Sequence, residues 1–372
     1  NKTIGDFLDV KVGLQTGSNE RFTRCWWEID FTCISKDYSL DKGKWVNYSK
    51  GGPFCKWFGN NWAVVNWENN GEEIKNLVDE NGRKKARPQN EKYYFKEGIS
   101  YTASGSSGVS FRLHQHNSLF DVGGSCIFTT SSYGNINYLI AFLNSNLSFF
   151  LAQTLNPTVN TQVGDLKRVP FVQPNASAES KITSTGEFNI QTKRKLCSYH
   201  IIELNFEQSP LIAFQGASLK DRVLAFLNYE NVKNTQVLIN EAIINEPIFE
   251  VYELSNADRE QVEAKMGKSI GQFGITNFEF GDGRTLVDLF IDEAKITDEV
   301  VLEHLRRLPL IDFELDKIRE IKEAFVTLYQ GSNDLEEFCI HHQVNPINVW
   351  YWFKEANTLP GAKATEIALE FL

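Results

Sequence analysis

The 372-residue chain has little of what staples a small fold or anchors one in a membrane: six cysteines, ten prolines and one methionine. Its most apolar stretch, Tyr138 to Ala152, is broken by Asn144, Asn146 and two serines, which excludes a bilayer-spanning helix there. No basic start followed by an apolar block opens the chain, so no secretory signal is expected in it. None of Cys25, Cys33, Cys55, Cys126, Cys197 and Cys339 forms a CxxC pair, and their spacing fits no zinc pattern. Reduced thiols among apolar neighbours, in a cytoplasmic protein, are the expectation. Catalytic signatures are missing too. There is no GxSxG, no HExxH, no phosphate-cradling GxxxxGK(S/T) and no EF-hand loop. His114 and His116 share one face of an expected strand with no second ligand pair near them, which points to solvated histidines rather than a metal site.

What is present is a globular composition: 42% apolar, 13% aromatic and 23% charged residues. The length suggests two or three domains. The formal net charge of −10 argues against a nucleic-acid partner only as an average. Residues 1–170 carry 19 basic and 16 acidic side chains (+3), whereas residues 171–372 carry 19 and 32 (−13). Binding to a duplex depends on the field at the contact face, so the acidic half does not veto it.

The pattern predicts an α+β protein. Residues 1–172 read as short strands separated by Gly, Asn and Ser, with alternation in Trp62–Trp67 and Val109–Leu113 and one helix over Asn135–Gln153. Residues 173–194, rich in Pro, Asn, Ser and Thr, read as a linker or loop. A helical spacer is expected over 195–275 and a helical C-terminal domain over 276–372. Ser218 with Asp221 caps a helix over Leu219–Tyr229, and Ser255 with Asp258 caps Asn256–Met266, which Gly267 ends. Thr297 opens another helix, and Asp312–Gln330 is amphipathic. The Gly-rich string FEFGDG at 278–283 reads as a hairpin turn, because Leu286–Ile291 follows it as a strand-like run and not as the helix a cofactor turn needs. Leu335–His342 and Pro346–Glu355 have helix-turn-helix spacing, but Trp350, Tyr351, Trp352 and Phe353 mark the second helix as packing.

Three clusters in the first half combine donors, glycine and aromatics. In GLQTGSNERF (13–22), two glycines bracket Gln15 and Thr16, and Asn19 and Arg21 follow; such a turn presents groups that bond base edges or phosphates. Lys42–Asn61 interleaves Lys42, Lys44, Lys50 and Lys56 with Trp45, Tyr48 and Trp57, a pattern that suits nucleic acid and equally a carbohydrate. The third cluster joins Arg83-Lys84-Lys85-Ala86-Arg87 to the Ser/Gly loop YTASGSSGVSFR at 101–112. Charge alone supports phosphate contact there, but not base reading.

Taken in order, GLQTGSNERF, KWVNYSKGGPFCKWFGN (44–60), VVNWENNGEEIKN (64–76), YYFKEGISYTASGSSGVSFRL (93–113), SLFDVGGSCIF (118–128) and the segment 136–171 resemble the specificity region of adenine-N6 DNA methyltransferases. The nearest resemblance is to the PglX family of BREX phage-defence systems, with a TaqI-like target-recognition module. IFEVYELSNADREQVEAKMG at 248–267 is similar to that family's spacer, more loosely. The family's chemistry uses an Asn-Pro-Pro-Tyr-type motif and a Gly-rich cofactor turn. Here Asn156-Pro157-Thr158 and Asn345-Pro346-Ile347 are the nearest strings, and each lacks the second proline and the aromatic.

The resemblance therefore implies the recognition part of a methyltransferase whose catalytic domain lies before Asn1. S-adenosylmethionine and the flipped adenine would belong to that domain, and this chain would not methylate alone. Double-stranded DNA, the chain's own N-terminal methyltransferase domain and other defence subunits are the implied partners; no membrane is. Phosphates would be met by Lys50, Lys56, Lys84, Lys85 and Arg87, with Lys167 or Asn160 added from the closing segment. Base edges would be read by Gln15, Asn19, Arg21, Ser106 and Arg112. Two other readings remain open, a protein-interaction module carried by the acidic half and a carbohydrate-binding module.

Overall fold

The computed structural model describes residues 2–105, 108–329 and 334–369. It is α+β, with its main sheets in the N-terminal half and helices dominating the C-terminal half. The chain divides into two compact units, Asn1–Asn144 with Ser148–Phe206, and Ser145–Leu147 with Glu207–Leu372.

In the first unit, strands β1 (Asp9–Lys11), β2 (Thr23–Cys25), β3 (Trp45–Ser49), β4 (Ala63–Asn66), β5 (Gly98–Tyr101), β6 (Phe111–His114), β7 (Ser118–Phe120) and β8 (Cys126–Phe128) form two four-stranded sheets. One, ordered β1-β8-β5-β6, is antiparallel throughout. The other, β2-β4-β3-β7, closes with a parallel β3–β7 pair in which Tyr48 faces Leu119. Strands β5 to β8 are buried along their whole length, so the polar Ser100, Arg112, His114 and Ser118 that alternate with their apolar residues are buried as well. Val46, Val65 and Leu119 of the second sheet share a core with Cys126 and Phe128 of the first, and Leu14, Phe22 and Ala86 join it from loops and a short helix.

The stretch expected as a linker is instead largely helix, Ala176–Cys197, capped where the Asn175 side chain accepts from the Ala178 amide. Its small residues serve packing. A Cβ on Gly186 would lie 3.0 Å from the Asn137 carbonyl oxygen and 3.1 Å from Ala141 Cβ, so the absence of a side chain sets how closely this helix approaches Ile136–Leu143. The helix expected over 135–153 is two helices, Ile136–Leu143 and Asn146–Leu155. Between them the Asn144 side chain acts as a peptide mimic: its amide donates to the Phe111 carbonyl at 2.8 Å and its oxygen accepts from the Phe111 amide at 3.0 Å.

The second unit is built on one helix, Leu219–Val251, three times the expected length. Its start is the expected capping box of Ser218 and Asp221. Val232, Ile239 and Ile243 of this helix form a core with Ile275, Phe290, Leu305, Ile347 and Trp350. Two-residue strands β9 (Ile275–Thr276) and β10 (Leu310–Ile311) pair in parallel beside it. The turn at 280–284 forms, with the Phe280 amide donating to the Arg284 carbonyl. The run after it is not a strand: Leu286–Ala294 is a helix, capped by Thr285 and Asp288, that buries Leu286 and Phe290 one turn apart. Asp298, rather than Thr297, caps the helix Glu299–Arg306. The expected amphipathic helix near 312–330 spans Leu315–Glu323 and tightens to a 3-10 turn over Ala324–Thr327. Asp334–His342 and Pro346–Ala356 form a helical hairpin whose Trp350 is fully buried.

Candidate nucleic-acid interface

Sterics fix the path of the first loop. A Cβ on Gly13 would sit 1.8 Å from the Phe120 carbonyl oxygen, so only glycine fits beside β7. The Leu14 amide then donates to that carbonyl at 2.7 Å, and the buried Tyr48 hydroxyl donates to the Leu14 carbonyl at 2.7 Å. Gln15 and Arg87 exchange both backbone hydrogen bonds, at 3.0 and 2.8 Å. Gly17, with φ +75°, passes so close to the third cluster that a Cβ would meet the Lys85 carbonyl carbon at 2.8 Å. Two clusters far apart in sequence are thereby locked together. Thr16, buried, donates to Asn19 Oδ1 at 2.9 Å and fixes that side chain at the head of the short helix Asn19–Phe22.

The basic run sits on the return arm of a tight turn. Asp79 Oδ1 accepts from the amides of Asn81 and Arg83, and Lys85 and Leu77 are joined at 3.0 Å. Ala86 points into the core, whereas Arg83, Lys84, Lys85 and Arg87 are exposed, with no side-chain partner among the described residues. Gln15 and Asn19 are exposed beside them. The interface thus offers two amides and four uncompensated cations on adjoining, mutually bonded loops.

Other expected residues lie elsewhere. Lys50 is three-quarters or more covered and paired with Asp121 at 2.8 Å, so its charge is already balanced. Lys56 is half-buried, its ammonium 5.6 Å from the centre of the Phe54 ring. Lys167 is half-buried on the helix Val163–Arg168, against Gly5. Arg21 is exposed but carries Glu73 as an ion-pair partner. Ser106 lies outside the described residues. Before it, the Ala103 amide donates to the Gly123 carbonyl and the Thr161 amide donates to the Ala103 carbonyl, which brings Asn160 against Ser104.

Arg112 is not on a rim. It is 2% exposed, in register with Ser100 in the sheet, and its Nη1 donates to Thr102 Oγ1 at 3.4 Å while Nη2 has no partner among the described residues. Burial lowers its pKa, opposed by Cys55, Cys126 and Glu203 nearby. A base edge does not reach it in this conformation. His114 likewise is buried, not solvated, with Nδ1 2.8 Å from Ser49 Oγ. Glu73 and Asp121, which neutralise Arg21 and Lys50, lie 52 and 71 residues from them, and no local spacing announces either. Among the described residues, no group of three or more His, Cys, Asp and Glu side chains could hold a metal ion, and no helix is long and apolar enough to cross a membrane.

No family model matches the chain. It is 33% identical over 194 residues, half of its length, to the adenine-specific methyltransferase PglX of Lacticaseibacillus casei (strain Zhang). It is 34% identical over 167 residues, 44% of its length, to the adenine-specific methyltransferase BrxX of Escherichia coli O9:H4 (strain HS). The matched part covers 16% and 13% of those two proteins, so the chain spans about a sixth or less of the relatives it matches. About half of this chain is therefore related in sequence to adenine-specific methyltransferases.

Proposed function

We propose that the first unit is the DNA-recognition part of an adenine-specific methyltransferase of the BREX phage-defence type, working with a catalytic domain that this chain does not contain. The observation that carries the reading is the Gln15–Arg87 backbone pair, which fastens a loop bearing two amides to a loop bearing four cations with no side-chain partner among the described residues. Cations without carboxylates suit phosphates, and amides fixed by glycine-shaped turns suit base edges. In this reading Arg83, Lys84, Lys85 and Arg87 hold the backbone of a duplex, and Gln15, Asn19 and Arg21 meet its bases. S-adenosylmethionine and the flipped adenine belong to the catalytic domain, and the whole enzyme works in the cytoplasm, together with other defence subunits.

The test is binding of the chain to duplex DNA across salt. Four phosphate contacts give a slope of log affinity against log salt of roughly −3 to −4. Lys84→Ala and Lys85→Ala should each reduce it by about 1, alike on all sequences. No binding, or an affinity independent of salt, sinks the proposal.

A further inference from the structure

We propose that Arg21 and Glu73 act as one unit that reads a G·C base pair, with Glu73 as the positioning residue; this rests on the DNA-recognition reading above. Arg21 lies on the short helix Asn19–Phe22, and its guanidinium carbon stands 5.2 Å from the centre of the Phe22 ring, which is fully buried. Nη2 of Arg21 is held by Glu73 Oε1, and both side chains are about half exposed. A guanidinium that would otherwise swing freely is thus fixed from two directions, by a ring of the core and by a carboxylate.

The fixed group is not used up. A guanidinium has five N–H donors, Glu73 engages Nη2, and no other side-chain partner of Arg21 occurs among the described residues. Two parallel donors on one guanidinium edge match O6 and N7 of guanine. A phosphate is a poor occupant here. The cleft beside Arg21 is lined by Glu68, Glu72 and Glu73; Lys44 pairs with Glu68 at 3.0 Å and Arg21 itself with Glu73, which leaves the Glu72 carboxylate without a cation among the described residues. Three carboxylates against two cations leave the cleft with an excess negative charge that disfavours a phosphate, whereas the free oxygen of Glu73 can accept from the N4 amino group of cytosine. Lys84 and Lys85 have no ion-pair partner among the described residues, whereas Arg21 is held by Glu73, so in this reading the basic run attracts the backbone and Arg21 selects a base pair.

The experiment is selection from a random duplex pool with the chain, with Arg21→Ala and with Glu73→Gln, alongside salt titrations of each and of Lys84→Ala. Both substituted positions are at the surface, so folding is not at stake. Expected is one guanine position in the site selected by the unaltered chain. Arg21→Ala and Glu73→Gln should both relax that same position, on the order of tenfold in discrimination, and leave the salt slope unchanged. Relaxation by Arg21→Ala but not by Glu73→Gln overturns the positioning role. If both keep the guanine while Lys84→Ala still flattens the salt slope, the inference fails and the DNA reading stands. A chain that selects no sequence and shows no salt dependence overturns both.

Discussion

His114 lies edge-on to the rings of Phe120 and Phe128, in the core between the strands. Burial disfavours the imidazolium and pushes the pKa from 6.5 down to about 4. Unfolded, the same ring takes its proton near 6.5, so below that value the unfolded chain binds the additional proton. The stability that neutral His114 contributes is complete above pH 6.5 and is lost as pH falls towards 4, about 3 kcal/mol over the window. Denaturant midpoints should fall across that range, and His114→Gln should remove most of the fall. Asp41, held at about 2 by the amide of Gly43, titrates below this window and does not mimic it. Arg112 makes the complementary case. A buried guanidinium with one long hydrogen bond and one orphan nitrogen is costly to keep, so Arg112→Met should change stability by less than about 2 kcal/mol. Its effect on the selected DNA sequence should be nil, because the side chain is inside; a changed preference would show that the sheet opens on binding.

At the scale of elements, the helix Ala176–Cys197 depends on Gly186. Leucine there meets the Asn137 carbonyl and Ala141, and Gly186→Leu should cost about 1–3 kcal/mol in chemical unfolding followed by circular dichroism. The same glycine explains why this helix was illegible. Ser, Thr, Asn and Gly are loop formers by local propensity, and the contact that makes them helical is tertiary. The long helix Leu219–Val251 hides for another reason. It is buried on several faces, from Val223 through Phe249, so no apolar stripe repeats along it. Caps were legible because they are local: Ser255 and Asp258 satisfy each other's backbone within four residues. The candidate interface divides the same way. The glycine-bracketed loop and the basic run can be read from composition, but Glu73, Asp121 and the burial of Arg112 follow only from tertiary packing.

For the whole molecule, each unit has an apolar core of its own, around Val65 and Phe120 in the first and around Ile239 and Trp350 in the second. Ile239→Ala should cost about 2–5 kcal/mol. Amide exchange should then rise in the helices around Ile239, while β3, β4 and β7 keep their protection. Charge is partitioned as well: the 19 basic and 32 acidic side chains of residues 171–372 set the pI near 5.3, whereas Arg83, Lys84, Lys85 and Arg87, without a side-chain partner among the described residues, sit together in the first unit. Retention on a column and affinity for a duplex therefore should respond to different residues. Lys84→Ala should leave elution from an anion exchanger nearly unchanged while it weakens DNA binding.

The two glycines that fasten the interface carry a consequence for how a target could change. Positions 13 and 17 admit no side chain, because the backbones of Phe120 and Lys85 already occupy the space. Positions 15 and 19 point outward and contribute to the frame almost wholly through main chain or through Thr16. The loop behaves like a typeface with fixed spacing and replaceable letters. A library varied at Gln15 and Asn19 should yield folded proteins with many preferences, whereas one varied at Gly13 and Gly17 should yield few folded proteins at all.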